Sequence, residues 1–167
     1  PIICSEPSAT LLPLVLEDAL KVGVTRNTQF IKKFLAILKE KIIAVPYSKN
    51  YKIAPGCLVK LKPAGHILGS AYVEFKLTSP LIARPEKPKK IIFSGDLGAP
   101  YAPLLSAPKS PYSCDTLVIE STYGDKSHEG RKSRRLKLQA IIKRAVRDKG
   151  VVLIPAFSIG RTQELLY

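Results

Sequence analysis

The sequence predicts an α/β protein in which helices cover a β-sheet. Short apolar runs, several of them alternating with polar residues, occupy much of residues 43–120 and are typical of strands. In residues 10–41 and 131–148, apolar side chains recur every three to four positions, as they do in amphipathic helices. Towards the C-terminus, strand and helix patterns alternate, which is the order found in layered α/β folds.

The first part of the chain predicts a strand followed by two helices. The strand covers residues 2–4, and the first helix covers residues 10–21, with Pro13 in the first turn, where a missing N–H is tolerated. Thr25 is the expected N-cap of the second helix, which ends near Lys41. The apolar spacing predicts that this helix turns four side chains inward, namely Phe30, Phe34, Ile37 and Leu38.

The rest of the chain predicts further strands and a long basic helix. The strands are expected at residues 43–45, 57–64, 71–77, 91–94, 116–120 and 151–154. The basic helix is expected at residues 131–148, and its inward face is expected to consist of Leu138, Ile141, Ile142 and Ala145. Another helix begins at residue 160. Residues 79–90 and 99–112 are rich in proline and predict surface loops. A basic, helix-rich segment begins near residue 125, and we place a domain boundary there.

Composition restricts the classes of function. With 27 Lys and Arg against 13 Asp and Glu, the formal net charge is +14. This charge favours a polyanionic partner, either nucleic acid or an anionic membrane surface, and does not distinguish between them. No apolar stretch approaches the ~20 residues that span a bilayer, so we expect no membrane segment. The three cysteines are far apart and form no CxxC pair, which argues against a disulfide framework and favours a reducing, cytoplasmic compartment. Each cysteine lies in an apolar run and is expected to be a buried thiol.

One of the two histidines lies in a tight connection between two predicted strands. In the stretch PAGHILGSA, Gly65 and Gly69 flank His66 and allow the backbone to turn. A turn histidine that satisfies a loop carbonyl is one interpretation, and a metal ligand is the other. The second histidine, His128, lies in a polar stretch before the basic helix, where we expect it to be solvated.

Two carboxylates follow apolar strands in the same manner. Asp96 ends the stretch IIFSGD, and Glu120 follows LVI in the stretch LVIEST. An Asx-turn at Asp96 and a lysine pair at Glu120 would explain each carboxylate alone. Together with His66, however, they are side chains of the types that bind zinc, each placed after a strand, and ligands bind at strand ends in α/β sheets. His66, Asp96 and Glu120 are therefore expected at one edge of the sheet, although they are too few to complete a zinc site.

The motifs GHILGSA, SGD and IESTYG, followed by VVLIPAFSIGRTQELL, resemble the β-CASP group of metallo-β-lactamase-fold nucleases. Within the group, the sequence of these motifs is most similar to that of bacterial RNA-processing exonucleases. The resemblance covers nearly the whole chain. It implies that residues 1–125 are part of a metallo-β-lactamase αββα sandwich and that residues 126–167 begin a β-CASP domain. It also implies a longer protein, with an HxHxDH metal motif before Pro1 and two further histidine motifs after Tyr167.

The resemblance also assigns roles to individual residues. It implies that His66 binds one of two zinc ions, that Asp96 bridges both, and that Glu120 lies beside the scissile phosphate and holds a histidine from later in the family's chain. Tyr123, in IESTYG, is expected near this site. The resemblance implies hydrolysis of RNA phosphodiester bonds by a hydroxide held between the metals. Because this segment supplies only two of the ligands that such a site needs, we expect the segment alone to be inactive.

Two basic regions are candidates for contact with the RNA backbone. Gly160 and Arg161 open the last helix, where free N–H groups and a guanidinium attract phosphate, although capping by Ser158 with a solvated arginine is the alternative. In the long basic helix, a set of cations lies off the apolar stripe, either as a solvated face or as a phosphate-binding surface: Lys132, Lys137, Lys143, Arg144 and Arg147. Few aromatic residues accompany them, so no base-stacking platform is expected.

Two other functions fit parts of the pattern. Some proteins of this fold have lost metal ligands and act as non-catalytic RNA-binding or scaffold subunits, and a homo-oligomer is also compatible with the sequence. A small-molecule hydrolase of the wider metallo-β-lactamase fold is disfavoured by the charge of +14 and by the IESTYG motif. The identity of the residues before Pro1 separates the enzyme from the scaffold.

Overall fold

The computed structural model describes residues 1–78, 87–127 and 130–167, except for the side chains of residues 131 and 132. The chain divides into two compact units, Pro1–Glu120 and Ser121–Leu166. Residues 79–86 of the expected loop at 79–90, and His128, lie outside the described residues. The assignment of the units to metallo-β-lactamase and β-CASP domains, with a boundary near residue 125, stays a prediction.

A parallel two-stranded sheet and two helices open the first unit. Strand β1 (Ile2–Ser5) leads into helix α1 (Glu6–Gly23), which is followed by helix α2 (Thr28–Lys41) and strand β2 (Ile42–Val45). Strands β1 and β2 pair in parallel, with Ile2 opposite Ile42. The two helices form the crossover that a parallel pair requires, because a short turn cannot join parallel strands.

Both helices begin at residues other than those predicted. Helix α1 begins at Glu6 because the Ser5 hydroxyl caps it by accepting the Ser8 N–H at 3.3 Å. Pro13 therefore lies inside α1 rather than in its first turn, and its side chain is buried. Asn27, and not Thr25, caps α2, since its Oδ1 accepts the backbone N–H groups of two following residues.

The inward face of α2 also differs from the prediction. Ile31 and Leu38 are the buried residues of this helix. Phe30 and Ile37 are exposed, so the prediction that they face inward is wrong. Apolar residues occur on more than one side of this helix, and the contacts of the fold decide which of them are buried.

The second sheet of this unit has five strands in the order β3-β4-β5-β6-β7. The strands are β3 (Asn50–Ala54), β4 (Cys57–Pro63), β5 (Ala71–Leu77), β6 (Lys89–Phe93) and β7 (Thr116–Val118). All neighbours are antiparallel except β6 and β7, which are parallel. The sequence pattern does not predict β3, a largely exposed edge strand that pairs with β4 and carries a register shift near its end.

The core of the unit lies between the two sheets. Val45 of β2 clusters with Val59 and Leu61 of β4. Tyr47, which follows β2, and side chains of both sheets pack against this cluster: Ile3, Ile43, Tyr51, Ala71, Val73 and Phe75. Phe75 and Phe93 meet edge to face, with ring centroids 5.9 Å apart. This contact packs β5 against β6. Strand β5 begins after His66, and strand β6 ends before Asp96.

A polar cluster and a tyrosine organise the opposite face of the five-stranded sheet. The buried Glu74 carboxylate lies 3.6 Å from Lys90 Nζ and 3.9 Å from Lys60 Nζ. Burial, and secondarily the Glu74 charge, raise the pKa of Tyr72 above its usual value, so the hydroxyl stays protonated. It donates to the Lys109 carbonyl at 2.8 Å and so holds the proline-rich loop of residues 99–112 against the sheet.

The second unit contains helix α3 (Arg131–Arg147) and helix α4 (Arg161–Leu166). The strand predicted at residues 151–154 is wrong, because those residues form no ladder and the described part of this unit offers no strand to pair with. Leu138, Ile141 and Ile142 are exposed, and Ala145 is only half-buried, so the predicted inward face of α3 is also wrong. None of the helices in the described residues is long and apolar enough to cross a membrane.

Ser5 couples the start of α1 to the sheet, and its replacement is expected to destabilise the fold. Ser5 is 2% exposed, caps α1, and donates to the Gly69 carbonyl at 2.7 Å. Ser5→Ala should lower the free energy of unfolding by about 1–3 kcal/mol, because it removes a cap and a buried hydrogen bond. Urea denaturation measures this loss.

Thr10→Ala is the matched control on the same helix, since the Thr10 hydroxyl makes only an exposed bond to Glu6 O at 3.4 Å. It should change the free energy of unfolding by less than about 0.5 kcal/mol. Equal effects of the two substitutions would contradict the role given to Ser5.

Candidate active site

His66 lies in the short loop that joins β4 to β5, as the sequence predicts. Gly65 and Gly69 have φ values of +69° and +90°, a region that favours glycine. The Ser70 hydroxyl oxygen accepts the N–H groups of His66 at 3.0 Å and Ile67 at 3.2 Å. The backbone of His66 is therefore fixed from within the loop, while its side chain remains 47% exposed.

Residues from outside the loop hold it in place. The Gly69 carbonyl accepts from the Ser5 hydroxyl at 2.7 Å and from the Ser8 hydroxyl at 3.0 Å. Tyr47 donates its phenol O–H to the Ser70 carbonyl at 3.1 Å. The loop of His66 is thus bound to the start of α1 and to the segment after β2.

The loop that carries Asp96 follows β6 and contacts the loop of His66 directly. The Gly98 N–H donates to the Ala64 carbonyl at 2.8 Å. A Cβ atom at residue 98 would overlap the Gly65 carbonyl, so only glycine allows this approach. The contact brings Asp96 Oδ2 to 3.8 Å from His66 Nε2.

Glu120 follows β7 and bonds to the segment around Asp96 through both its backbone and its side chain. Its N–H donates to the Ser94 hydroxyl at 2.9 Å, and its Oε1 accepts the Leu97 N–H at 2.6 Å. Because β6 and β7 are parallel and β5 and β6 are antiparallel, their ladders place the three site residues at the same end of the sheet. His66, Asp96 and Glu120 are therefore brought together.

The spacing of His66 and Asp96 is compatible with a shared divalent metal ion. Zn–N and Zn–O bonds are ~2.0–2.2 Å long, so donor atoms on one ion are separated by less than ~4.4 Å. The 3.8 Å between Nε2 and Oδ2 is within this limit and too long for a direct hydrogen bond. Within residues 1–78, 87–127 and 130–167, no group of three or more His, Cys, Asp or Glu side chains is placed to hold a metal ion. These two donors alone are therefore fewer than the four ligands that a complete zinc site needs.

The remaining predicted site residues belong to the second unit. Tyr123 is largely exposed in a turn after Glu120. Arg161 Nη1 is 3.4 Å from Glu164 Oε2, and the Ser158 carbonyl accepts from Gln163 at 2.9 Å. The Gly160 N–H at the start of α4 is capped by the Gln163 side chain at 2.7 Å, and not by Ser158 as the capping alternative supposed.

The candidate RNA-contacting cations of α3 lie on an exposed helix. Lys143 and Arg147 are solvent-exposed, and Arg147 Nε donates to Asp148 Oδ1 at 3.0 Å. The side chain of Lys132 lies outside the described residues.

Comparisons with known proteins point to one family. Cleavage and polyadenylation specificity factor subunit 3 of Dictyostelium discoideum is 32% identical over 169 residues, which are 99% of this chain and 20% of that protein. The RNase J-like protein of Methanocaldococcus jannaschii is 31% identical over 168 residues, or 99% of this chain and 37% of that protein. Ribonuclease TTHA0252 of Thermus thermophilus is 30% identical over 170 residues, or 100% of this chain and 36% of that protein.

The chain belongs to the β-CASP group of the metallo-β-lactamase fold. No protein-family model matches it. The chain spans between 20% and 37% of the length of these three relatives. The family resemblance and the α/β class inferred from the sequence are thereby confirmed, and the roles of individual residues stay predictions.

Sequence reasoning missed the residues that support this part of the β-CASP fold. Ser70 and Ser94 are present in the motifs GHILGSA and SGD, but nothing in those motifs shows which backbone groups their hydroxyls bind. Ser5 and Ser8 are far from His66 in sequence, and no local pattern connects them to it. Leu97 contributes through its backbone N–H, which is independent of its side chain.

The close approach of the two loops predicts a large effect of Gly98→Ala. The added Cβ collides with the backbone of the His66 loop, so one loop must move. We expect a loss of about 1–3 kcal/mol in the free energy of unfolding, typical of overpacking, together with shifted NMR resonances for His66 and Asp96.

Gly23→Ala provides the control, because no atom lies within 4 Å of the place that a methyl group would take at this end of α1. It should be neutral or stabilising by up to about 1 kcal/mol, since alanine favours helix over glycine. Unchanged His66 and Asp96 resonances in Gly98→Ala would contradict the assigned loop contact.

Proposed function

We propose that this chain supplies one part of the metal site of an RNA nuclease that hydrolyses phosphodiester bonds. The observation that carries the proposal is the convergence of His66, Asp96 and Glu120 at one end of the sheet, with Nε2 and Oδ2 3.8 Å apart. Imidazole and carboxylate form a donor set suited to zinc. Relatives that are named as ribonucleases support the reaction class.

In this proposal, His66 and Asp96 hold zinc together with ligands from elsewhere in a longer protein. Bound zinc lowers the pKa of water towards about 7 and thereby supplies a hydroxide at neutral pH. Both side chains are exposed to solvent, so a ligand or substrate can reach them. Glu120, fixed beside Asp96, is proposed to orient a histidine or to contact the scissile phosphate.

Helix α3 is the proposed surface for the RNA backbone. Its sequence, RKSRRLKLQAIIKRAVR, contains no acidic residue, and its first turn has neither an acidic residue nor a side-chain cap. Several cations near a helix N-terminus oppose the helix dipole, and a polyanion relieves that repulsion. Among the proposed RNA-contacting cations, Lys143 of α3 is favoured over Arg147 of α3 and Arg161 of α4, which make ion pairs with Asp148 and Glu164.

A cytoplasmic location is part of the same proposal. Cys4, Cys57 and Cys114 are free thiols in the structure. They are half-buried, and not fully buried as the sequence analysis expected. Free thiols are typical of a reducing compartment, and burial raises the pKa of the Cys4 thiol, which lowers its reactivity.

The function is tested in a longer protein that contains this chain. Asp96→Ala should remove bound metal and RNA cleavage together, because it deletes a proposed ligand. Glu120→Gln should retain the metal and lower the cleavage rate by about 100-fold or more, as expected for a group that assists proton transfer. Elemental analysis and a single-turnover cleavage assay provide the measurements, with chelation and zinc readdition as the control. Equal metal loss in both variants would show that Glu120 is itself a ligand.

The 167-residue chain alone should show neither stoichiometric zinc nor cleavage, because two ligands leave a metal ion largely hydrated and weakly held. It should nevertheless bind single-stranded RNA with an affinity that falls steeply with salt. Replacing Lys143, Arg144 and Arg147 by glutamine should flatten the log–log salt slope by about 2, at roughly 0.7 for each phosphate that the variant no longer neutralises.

The control variant removes the same charge from α2 by replacing Lys32, Lys33 and Lys39 with glutamine. Its salt slope should stay near that of the unaltered chain if α3 provides the contacts. Equal flattening in both variants would show that the effect comes from net charge and not from α3. Stoichiometric zinc binding or RNA cleavage by the chain alone would contradict the prediction that two ligands are too few.

A further inference from the structure

We propose that Glu120 is a positioning residue for Asp96, and that it acts by holding the backbone N–H of Leu97. This inference rests on the metal site proposed above and adds a structural cause for its geometry. Glu120 Oε1 accepts the Leu97 N–H at 2.6 Å, one residue beyond the proposed ligand. The bond is short, as expected when the acceptor is a charged carboxylate.

The segment containing Asp96 is held at three points. At its start, the Ser94 N–H donates to Val118 O at 2.9 Å, and the Ser94 hydroxyl accepts the Glu120 N–H at 2.9 Å. At its end, the Gly98 N–H donates to Ala64 O at 2.8 Å, in the loop of His66. The Glu120–Leu97 bond is the third point and lies between the other two.

The side chain of Asp96 is 75% exposed, so packing contributes little to its position. Its backbone lies between Gly95, which has a φ of +53°, and Gly98, and glycine backbones are flexible without external restraint. The backbone therefore sets where the Asp96 side chain begins, and so which Nε2–Oδ2 distances its rotamers can reach. Loss of the central bond should widen the range of Nε2–Oδ2 distances and weaken the binding of a metal ion that needs both atoms.

The chain contains a matched bond at the other end of the same strand pair. Asp115 Oδ2 accepts the Lys90 N–H at 2.6 Å, where β6 and β7 begin. Like the Glu120 bond, it ties the two strands through a carboxylate and a backbone amide. Asp115→Ala therefore removes the same type of bond far from His66, and controls for a general loss of sheet stability.

The experiment compares the unaltered 167-residue chain with Glu120→Ala, Glu120→Gln and Asp115→Ala. Zinc is added during an NMR titration that follows His66, and hydrogen exchange of the Leu97 amide is measured without metal. Glu120→Ala should weaken zinc binding at His66 about 10-fold or more, as loss of supporting bonds does in other metal sites, and should accelerate Leu97 exchange. Glu120→Gln retains an oxygen acceptor, so both quantities should stay within about threefold of the unaltered chain. Asp115→Ala should leave zinc binding at His66 unchanged.

Three results would overturn the inference. These are unchanged Leu97 exchange in Glu120→Ala, equal losses in Glu120→Gln and Glu120→Ala, and an equal loss of zinc binding in Asp115→Ala. If zinc does not affect His66, or binds equally to His66→Ala, the proposed metal site fails instead. The exchange of the Leu97 amide then still decides whether Glu120 holds the loop of Asp96.

Discussion

The contact between the loop after β4 and the loop after β6 is the constraint on which the candidate site depends. It consists of one backbone hydrogen bond, from Gly98 to Ala64, and a close approach that only glycine at residue 98 allows. Both proposed ligands are exposed, so packing of their side chains cannot determine the distance between them. The backbones of the two loops limit which distances the side chains can reach, and each loop is in turn fixed by buried or half-buried serines.

The sheet gives this contact its rigidity. The antiparallel pairing of β5 with β6, and the parallel pairing of β6 with β7, bring the start of β5 and the ends of β6 and β7 to one edge. Behind that edge, Phe75 packs against Phe93, and the cluster of Val45, Val59 and Leu61 joins the two sheets. Hydrogen bonds at this edge can therefore fix the position of one loop relative to the next, because the strands that carry the loops keep a fixed register.

The sequence predicted where the candidate site residues lie better than it predicted the hydrogen bonds that hold them in place. The positions of His66, Asp96 and Glu120 follow from strand patterns, because alternation over a few residues shows where a strand ends. The bond from Glu120 to Leu97, and those from Ser5 and Ser8 to Gly69, connect residues that no local pattern relates. The missed strand β3 and the wrong boundaries of α1 have the same origin, because an edge pairing and a single capping hydroxyl contribute little to periodicity.

By itself, the amino-acid sequence determined the α/β class, most of the strands in the first unit, the strongly basic charge and the family. These properties depend on composition, on local alternation and on motifs of a few residues. The tertiary structure decided which stripe of α2 is buried, whether residues 151–154 form a strand, and how far His66 Nε2 lies from Asp96 Oδ2. The physical reason is that burial, strand pairing and the distance between two loops each require a partner distant in sequence, and only the folded chain specifies that partner.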